Sequence, residues 1–165
     1  MGVDYLSIQI DVERAADTAR QLYQLEGEIT PLPGELDFNF RIKTASGSYI
    51  LKITRPDAEQ AYIEFQNALL NHAADSDVEL ALPRPIADVE GRYVSEIKDG
   101  LGLARKVRLL SWMKGRLWSS VNPVTNELLY SLGEEAGKLT RALQGFDHPE
   151  AHRRLDFVSG KNGGV

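Results

Sequence analysis

The stretch Leu32–Ile53, LPGELDFNFRIKTASGSYILKI, holds the residues best suited to chemistry. Lys52 sits in an apolar run, with Leu51 and Ile53 beside it and Ile50 two positions away on its own face of a strand. An ammonium in that setting is costly to bury unless its charge is paired. Upstream, a short turn carrying Pro33, Gly34 and Asp37 joins two extended segments. Downstream, a helical stretch carries Glu59 and Glu64. A loop over phosphates, a Lys on the third strand and a Glu on the next helix together clamp a nucleotide: the Lys supplies positive charge and the Glu holds it in place. Glu64 lies at the flank of the helix's apolar face and Glu59 nearer the opposite side, which makes Glu64 the better partner for Lys52. The same residues also fit a Lys on an edge strand whose ammonium snorkels to water, since an antiparallel sheet often keeps one wet face. The loop itself has no G-x-G-x-x-G and offers only Gly34.

Elements that position these residues can be read from periodicity. Val12, Ala15, Ala16, Ala19, Leu22 and Tyr23 keep helical spacing, with Asp11 as N-cap, so a helix is predicted over 12–23. Glu28–Leu32 is a short extended piece, and Pro33-Gly34 a turn. Phe38, Phe40 and Ile42 alternate with Asn39, Arg41 and Lys43, as in a half-buried strand. Ser46-Gly47 turns the chain into Tyr49–Thr54, which completes an antiparallel hairpin. After Pro56, the residues Ala58, Ala61, Tyr62, Phe65, Ala68 and Leu69 define an amphipathic helix over 58–74. Strands at Ile86–Val89, Arg92–Ile97 and Ala104–Trp112, joined by Glu90-Gly91 and Asp99-Gly100, read as a meander. Leu129, Leu132, Ala136, Leu139, Leu143 and Phe146 give a last helix, over about 124–146, one apolar face. The fold class is α+β: an antiparallel sheet of about five strands with packed helices, not a doubly wound parallel sheet.

Composition excludes several classes. The chain has 165 residues, enough for one domain, or one domain and a fragment. Its 42% apolar and 26% charged content argues against disorder and coiled coil. A net charge of −5 disfavours nucleic-acid binding. The sequence has no 18-residue apolar run, so no membrane span is expected. Its N-terminus lacks the basic and apolar pattern of a signal peptide. The absence of Cys removes disulfides, thiolate metal sites and Cys nucleophiles, and fits a cytoplasmic protein. G-x-S-x-G and Walker A sequences are absent. His148, Glu150 and His152 (HPEAH) depart from H-E-x-x-H and read as a surface helix end rather than a metal site.

Several blocks, in order, resemble the N-terminal lobe of the aminoglycoside phosphotransferase and choline kinase group, which has the protein-kinase-like fold. They are GEITPLPGEL (27–36), SYILKI (48–53), EFQNA (64–68), LALPRPIADVEGRYV (80–94), VRLLSWMKGRLW (107–118) and LGEEAGKLTRALQGFDHPEAHR (132–153). The likeness is greatest to the hydroxylysine kinase-like branch, which includes domains ahead of class III aminotransferases. The resemblance implies that Lys52 contacts ATP phosphates and that Glu64 orients it. It implies that Pro33–Asn39, with Gly34, Glu35 and Asn39, covers the phosphates. It also implies that backbone at Leu110, Ser111 and Trp112, in a hinge, faces the adenine. Arg108, Lys114 and Arg116 form a basic patch near that hinge, which reads first as solvated surface and second as a phosphate site.

One departure from the family matters more than the match. Phosphoryl transfer needs a catalytic Asp and side chains that hold Mg²⁺. The family carries that Asp in an H-G-D-type loop, whereas His72, His148 and His152 begin HAA, HPE and HRR. Asp156-Phe157 is followed by Val158, not by Gly. The expectation is therefore a kinase-like lobe over 1–113, a linker and first helix of a second lobe over 114–158, and a flexible tail over 159–165. ATP and Mg²⁺ are implied for the family, with hydroxylysine or another amino alcohol as acceptor. The chain alone is expected to bind ATP weakly or not at all and to transfer nothing, its partner being the rest of a second lobe or a fused aminotransferase. The alternative is a non-catalytic module that self-associates through the Leu129–Phe146 face.

Overall fold

The computed structural model describes residues 10–34 and 37–152. The expectations for Glu35, for Asp156-Phe157 and for the tail lie outside them.

Helix α1, Val12–Tyr23, begins where the Asp11 carboxylate accepts the Arg14 N–H at 2.7 Å. It ends at Gln24, whose φ of 54° is left-handed. Ala15, Ala19 and Tyr23 form its buried stripe. Strands β1 (Glu28–Leu32), β2 (Phe38–Lys43) and β3 (Ser48–Ile53) pair antiparallel in sequence order. The tight turn between β2 and β3 is closed by Thr44 N–H donating to Gly47 O at 2.8 Å. Alternation sorts the strand side chains. Phe40, Ile42, Leu51 and Ile53 meet Val107, Leu109 and α1 in one core, while Asn39 and Lys52 belong to the opposite face.

Helix α2 spans Gln60–Asp75. Then come β4 (Pro85–Ile86), β5 (Ser95–Lys98) and β6 (Ala104–Ser111), making six strands where sequence suggested about five. The meander holds only in part. β5 and β6 form a hairpin, but β4 pairs with β6 at Leu109–Leu110 and not with β5. A buried acid explains this. Asp88 accepts from the N–H groups of Glu90 and Arg92 at 2.9 Å each and from Ser95 Oγ at 2.7 Å, and so gathers residues 88–95 into a loop. These donors outweigh its burial and hold its pKa at about 2.

Strand β6 also pairs with β3, placing Arg108 opposite Lys52. Helix α3, Asn126–Ala142, is capped by Thr125 accepting from Leu128 N–H at 3.3 Å. Of its predicted apolar face, Leu129 and Leu132 are half exposed, at 50% and 51%. Among the described residues no helix is long and apolar enough to cross a membrane.

Candidate functional site

Lys52 lies on an interior strand, flanked by β2 and β6, so the edge-strand reading does not hold. Its side chain is about one-fifth exposed, at 22%. Its Nζ donates to Asn39 Oδ1 at 2.6 Å, directly across the β2–β3 ladder, and lies 3.9 Å from Asp37 Oδ2. Burial lowers the Lys52 pKa; Asp37 opposes that shift and Arg108 adds to it.

These groups line a cleft of about 760 Å³ with Thr54, Tyr62, Gln66 and Arg108. Asp37 and Asn39 close one side. Asn39 Nδ2 donates to Pro33 O at 3.4 Å and to Asp37 O at 3.3 Å, so the residue that holds Lys52 also holds the loop. Gly34 is required there. A Cβ at this position would fall 2.3 Å from Asp37 O and 2.4 Å from Asn39 Nδ2. Gly34→Ala is therefore expected to push Asn39 off Lys52 and to weaken any ligand of the cleft, while costing roughly 1–3 kcal/mol of stability. Thermal unfolding with and without ligand measures the two effects separately.

Glu64 does not reach the cleft. It is exposed, accepts from Gln60 Nε2 at 2.7 Å and lines a separate groove beside Arg92 and Tyr93. The reason is the orientation of α2. The apolar stripe does not provide its buried positions, which are Ile63, Asn67 and Ala73. By i, i+3 and i, i+4 spacing, Glu59 and Gln66 share the face of Ile63, and both line the cleft. Phe65 of the predicted stripe instead meets Phe146 and His148, with ring centroids 6.0 and 5.3 Å away.

The hinge candidates lie at the far end of β6 and do not line this cleft. Leu110 is buried. Ser111 N–H donates to Arg84 O at 2.9 Å, and Trp112 N–H to Ser48 O at 3.0 Å. The Arg41 guanidinium covers the Trp112 ring at 4.4 Å.

The predicted basic patch is not formed. Lys114 and Arg116 are exposed, whereas Arg108 is buried beside Lys52. Arg108 Nη1 donates to Asn67 Oδ1 at 3.1 Å, and Nη2 donates to Gln66 Oε1. The near-continuous apolar run Val107, Leu109 and Leu110 around Arg108 marks a strand buried on both faces, which sets Arg108 apart from Lys114 and Arg116. Among the described residues no group of three His, Asp or Glu is placed to hold a metal. His148 Nδ1 accepts from Glu150 N–H at 3.2 Å, and His152 pairs with Asp147 at 2.7 Å. The cleft sets partly buried Lys52 and buried Arg108 beside Asp37, with Arg55, Asp57 and Glu59 also in its lining.

The chain is similar to several known proteins. Hydroxylysine kinase of Mus musculus is 31% identical over 135 residues, covering 74% of this chain and 35% of that protein. An amicoumacin kinase solved in complex with AMP-PNP, Ca²⁺ and Ami superposes with a TM-score of 0.72 at 20% identity, over 92% of this chain and 46% of that one. A microcompartment-associated aminopropanol kinase superposes with a TM-score of 0.65 at 18% identity, over 89% of this chain and 45% of that one. The chain thus spans about a third of the curated relative and under half of the two solved kinases, whose protein-kinase-like fold it shares. The sequence pattern of the phosphotransferase enzyme family, APH, matches residues 28–158, so the chain belongs to that family.

Proposed function

We propose that this chain is the nucleotide-binding part of a small-molecule kinase, with ATP phosphates in the cleft and Lys52 contacting them. The observation that carries the proposal is the setting of Lys52, a mostly buried ammonium held by neutral Asn39 and only loosely by Asp37. An incoming phosphate offers the ammonium a full counter-charge where the protein offers an amide. The Pro33–Asn39 loop, fixed by the same Asn39, covers the phosphates. The base lies toward Leu110–Trp112. The Ser111 and Trp112 amides of that segment are already engaged.

The acceptor class is an amino alcohol. Two relatives are named for hydroxylysine and aminopropanol, each of which carries an amine and a hydroxyl. Nothing in these 165 residues supplies an H-x-D to orient that hydroxyl. By themselves they bind nucleotide weakly and transfer nothing. Residues 1–113 form the nucleotide lobe. When Mg²⁺ is present it neutralises phosphate charge, and the described residues provide no carboxylate cluster for it.

Adenosine carrying a 5′-sulfonylbenzoyl fluoride tests the placement. Burial favours the free amine of Lys52, which is the nucleophilic form. Peptide mapping should find the label on Lys52 and find it suppressed by excess AMP-PNP. Label spread over exposed Lys43, Lys98 and Lys114, without protection, would overturn the reading.

A second reading rests on α3, whose Leu129, Leu132 and Leu139 are exposed. It is a lobe that self-associates through that face, and a clean monomer by light scattering at high concentration counts against it.

A further inference from the structure

Arg108 differs from the other buried arginine of its own strand. Arg105, on the opposite face of β6, is 1% exposed and has a dedicated carboxylate, with Nε 2.8 Å from Asp99 Oδ2. Arg108 is 8% exposed and has no ion-paired carboxylate among the described residues. Its two fixed partners, Gln66 and Asn67, are amides of α2. Amides orient a guanidinium but do not neutralise it. A residue serving only to tie α2 to the sheet would be held at less cost by a Glu or Asp at either position. The neighbouring strand adds a second cation, because Lys52 is in register with Arg108 and lies on the same face.

The acids nearby do not balance this pair. Asp37 is the carboxylate that acts on both cations, and it is itself one-third exposed, at 32%. Asp57 is paired with Arg55 at 3.1 Å. Glu59 stands exposed at the start of α2 and makes no side-chain cap bond. Among the described residues, then, the cleft floor sets buried Arg108 and partly buried Lys52 against the shared, partly solvated Asp37, with Glu59 exposed at the rim. Burial depresses the pKa of both cations, as expected where the charge lacks a full counter-ion.

We infer that Arg108 is a second phosphate-binding cation, forming with Lys52 a two-cation site for the polyphosphate of a nucleotide, and that Gln66 and Asn67 hold its guanidinium ready. The inference rests on the nucleotide reading above and adds a residue to it. Arg108 also takes over the coupling of α2 to the cleft that a Lys–Glu pair would otherwise provide. Two of its five N–H donors are used by α2, which leaves the planar fork able to bind oxyanion oxygens.

The test uses the whole chain, with inorganic tripolyphosphate, Mg·AMP-PNP and adenosine as probes. Arg108→Met removes the charge and keeps much of the volume. Replacing an incompletely neutralised buried cation by an apolar side chain is often neutral or stabilising. The expected result is an unchanged or raised melting midpoint for the free variant, with the stabilisation by tripolyphosphate lost. Its affinity for tripolyphosphate and AMP-PNP should fall roughly tenfold or more, with adenosine unaffected. A lowered midpoint with an undiminished ligand-induced shift would mean that Arg108 only braces α2, and would overturn the inference. Should Arg108→Met not fold, the Arg108 Nε–H resonance of the wild type decides: it should move on adding tripolyphosphate, and a static resonance refutes the role. If Lys52→Met loses tripolyphosphate and Arg108→Met keeps it, the inference fails while the nucleotide reading stands. If the wild type responds to neither tripolyphosphate nor Mg·AMP-PNP, both fail.

Discussion

Asp99→Ala will destabilise the protein by about 3–5 kcal/mol, the cost typical of stranding one member of a buried ion pair. Asp99 and Arg105 have side-chain exposures of 0% and 1%. Asp99 Oδ1 also accepts from Leu101 N–H at 2.9 Å and from Leu103 N–H at 3.0 Å, which shapes the β5–β6 turn. Arg105 Nη1 donates to Thr54 O at 3.1 Å, and its Nη2 has no hydrogen-bond partner among the described residues. Removing Asp99 leaves a buried guanidinium with one backbone acceptor. Because Thr54 follows β3 directly, the loss reaches the strand that carries Lys52. Burial by itself would raise the Asp99 pKa, but the bonds from Arg105, Leu103 and Leu101 prevail and lower it. A carboxylate with a depressed folded pKa stabilises fully above its unfolded value and loses that stabilisation as pH falls through the folded value. Urea unfolding across the acid range should therefore show a falling limb in the wild type that is reduced in Asp99→Ala. A cost below about 1 kcal/mol would show that the pair is not the buried unit described.

The sequence made α1, the β1–β3 hairpins and the Lys52 strand legible because each is a local pattern with its own punctuation. Asp11 caps, Ser46-Gly47 turns, and alternation assigns faces. The pairing of β6 with β3, in addition to β4 and β5, is non-local, and it is what brings Arg108 to Lys52. The cost argument applied to Lys52 applies equally to Arg108 within VRLL; only the register was missing. The expected strands Ile86–Val89 and Arg92–Ile97 are shortened for a related reason, since Asp88, placed by the pattern within the first of them, closes instead on Arg92 and Ser95. Glu64 stands away from Lys52 because the apolar stripe of α2 does not face the sheet. Here the sheet-facing side of α2 is partly polar, with Gln66 and Asn67 answering Arg108, and the apolar side meets Phe146 and His148. A helix over a charged cleft inverts the usual rule that the apolar face lies inward.

Lys52→Met should weaken binding of the triphosphate by about 10–100-fold. A hydrogen bond to a charged group contributes about 1.5–3 kcal/mol, and about 1.4 kcal/mol corresponds to a tenfold change. Methionine fills much of the same volume, and the buried ammonium it replaces is already disfavoured by burial, so the fold should be kept. Asn39 and Asp37 would lose their shared partner, but both remain on the loop side, where solvent reaches them. The most direct test is a titration of the wild type and Lys52→Met with Mg·AMP-PNP and, separately, with adenosine, followed by amide resonances. The account predicts weak binding of AMP-PNP by the wild type, a loss of one to two orders of magnitude in Lys52→Met, and equal affinity of both for adenosine. Equal affinity of both proteins for AMP-PNP would contradict it.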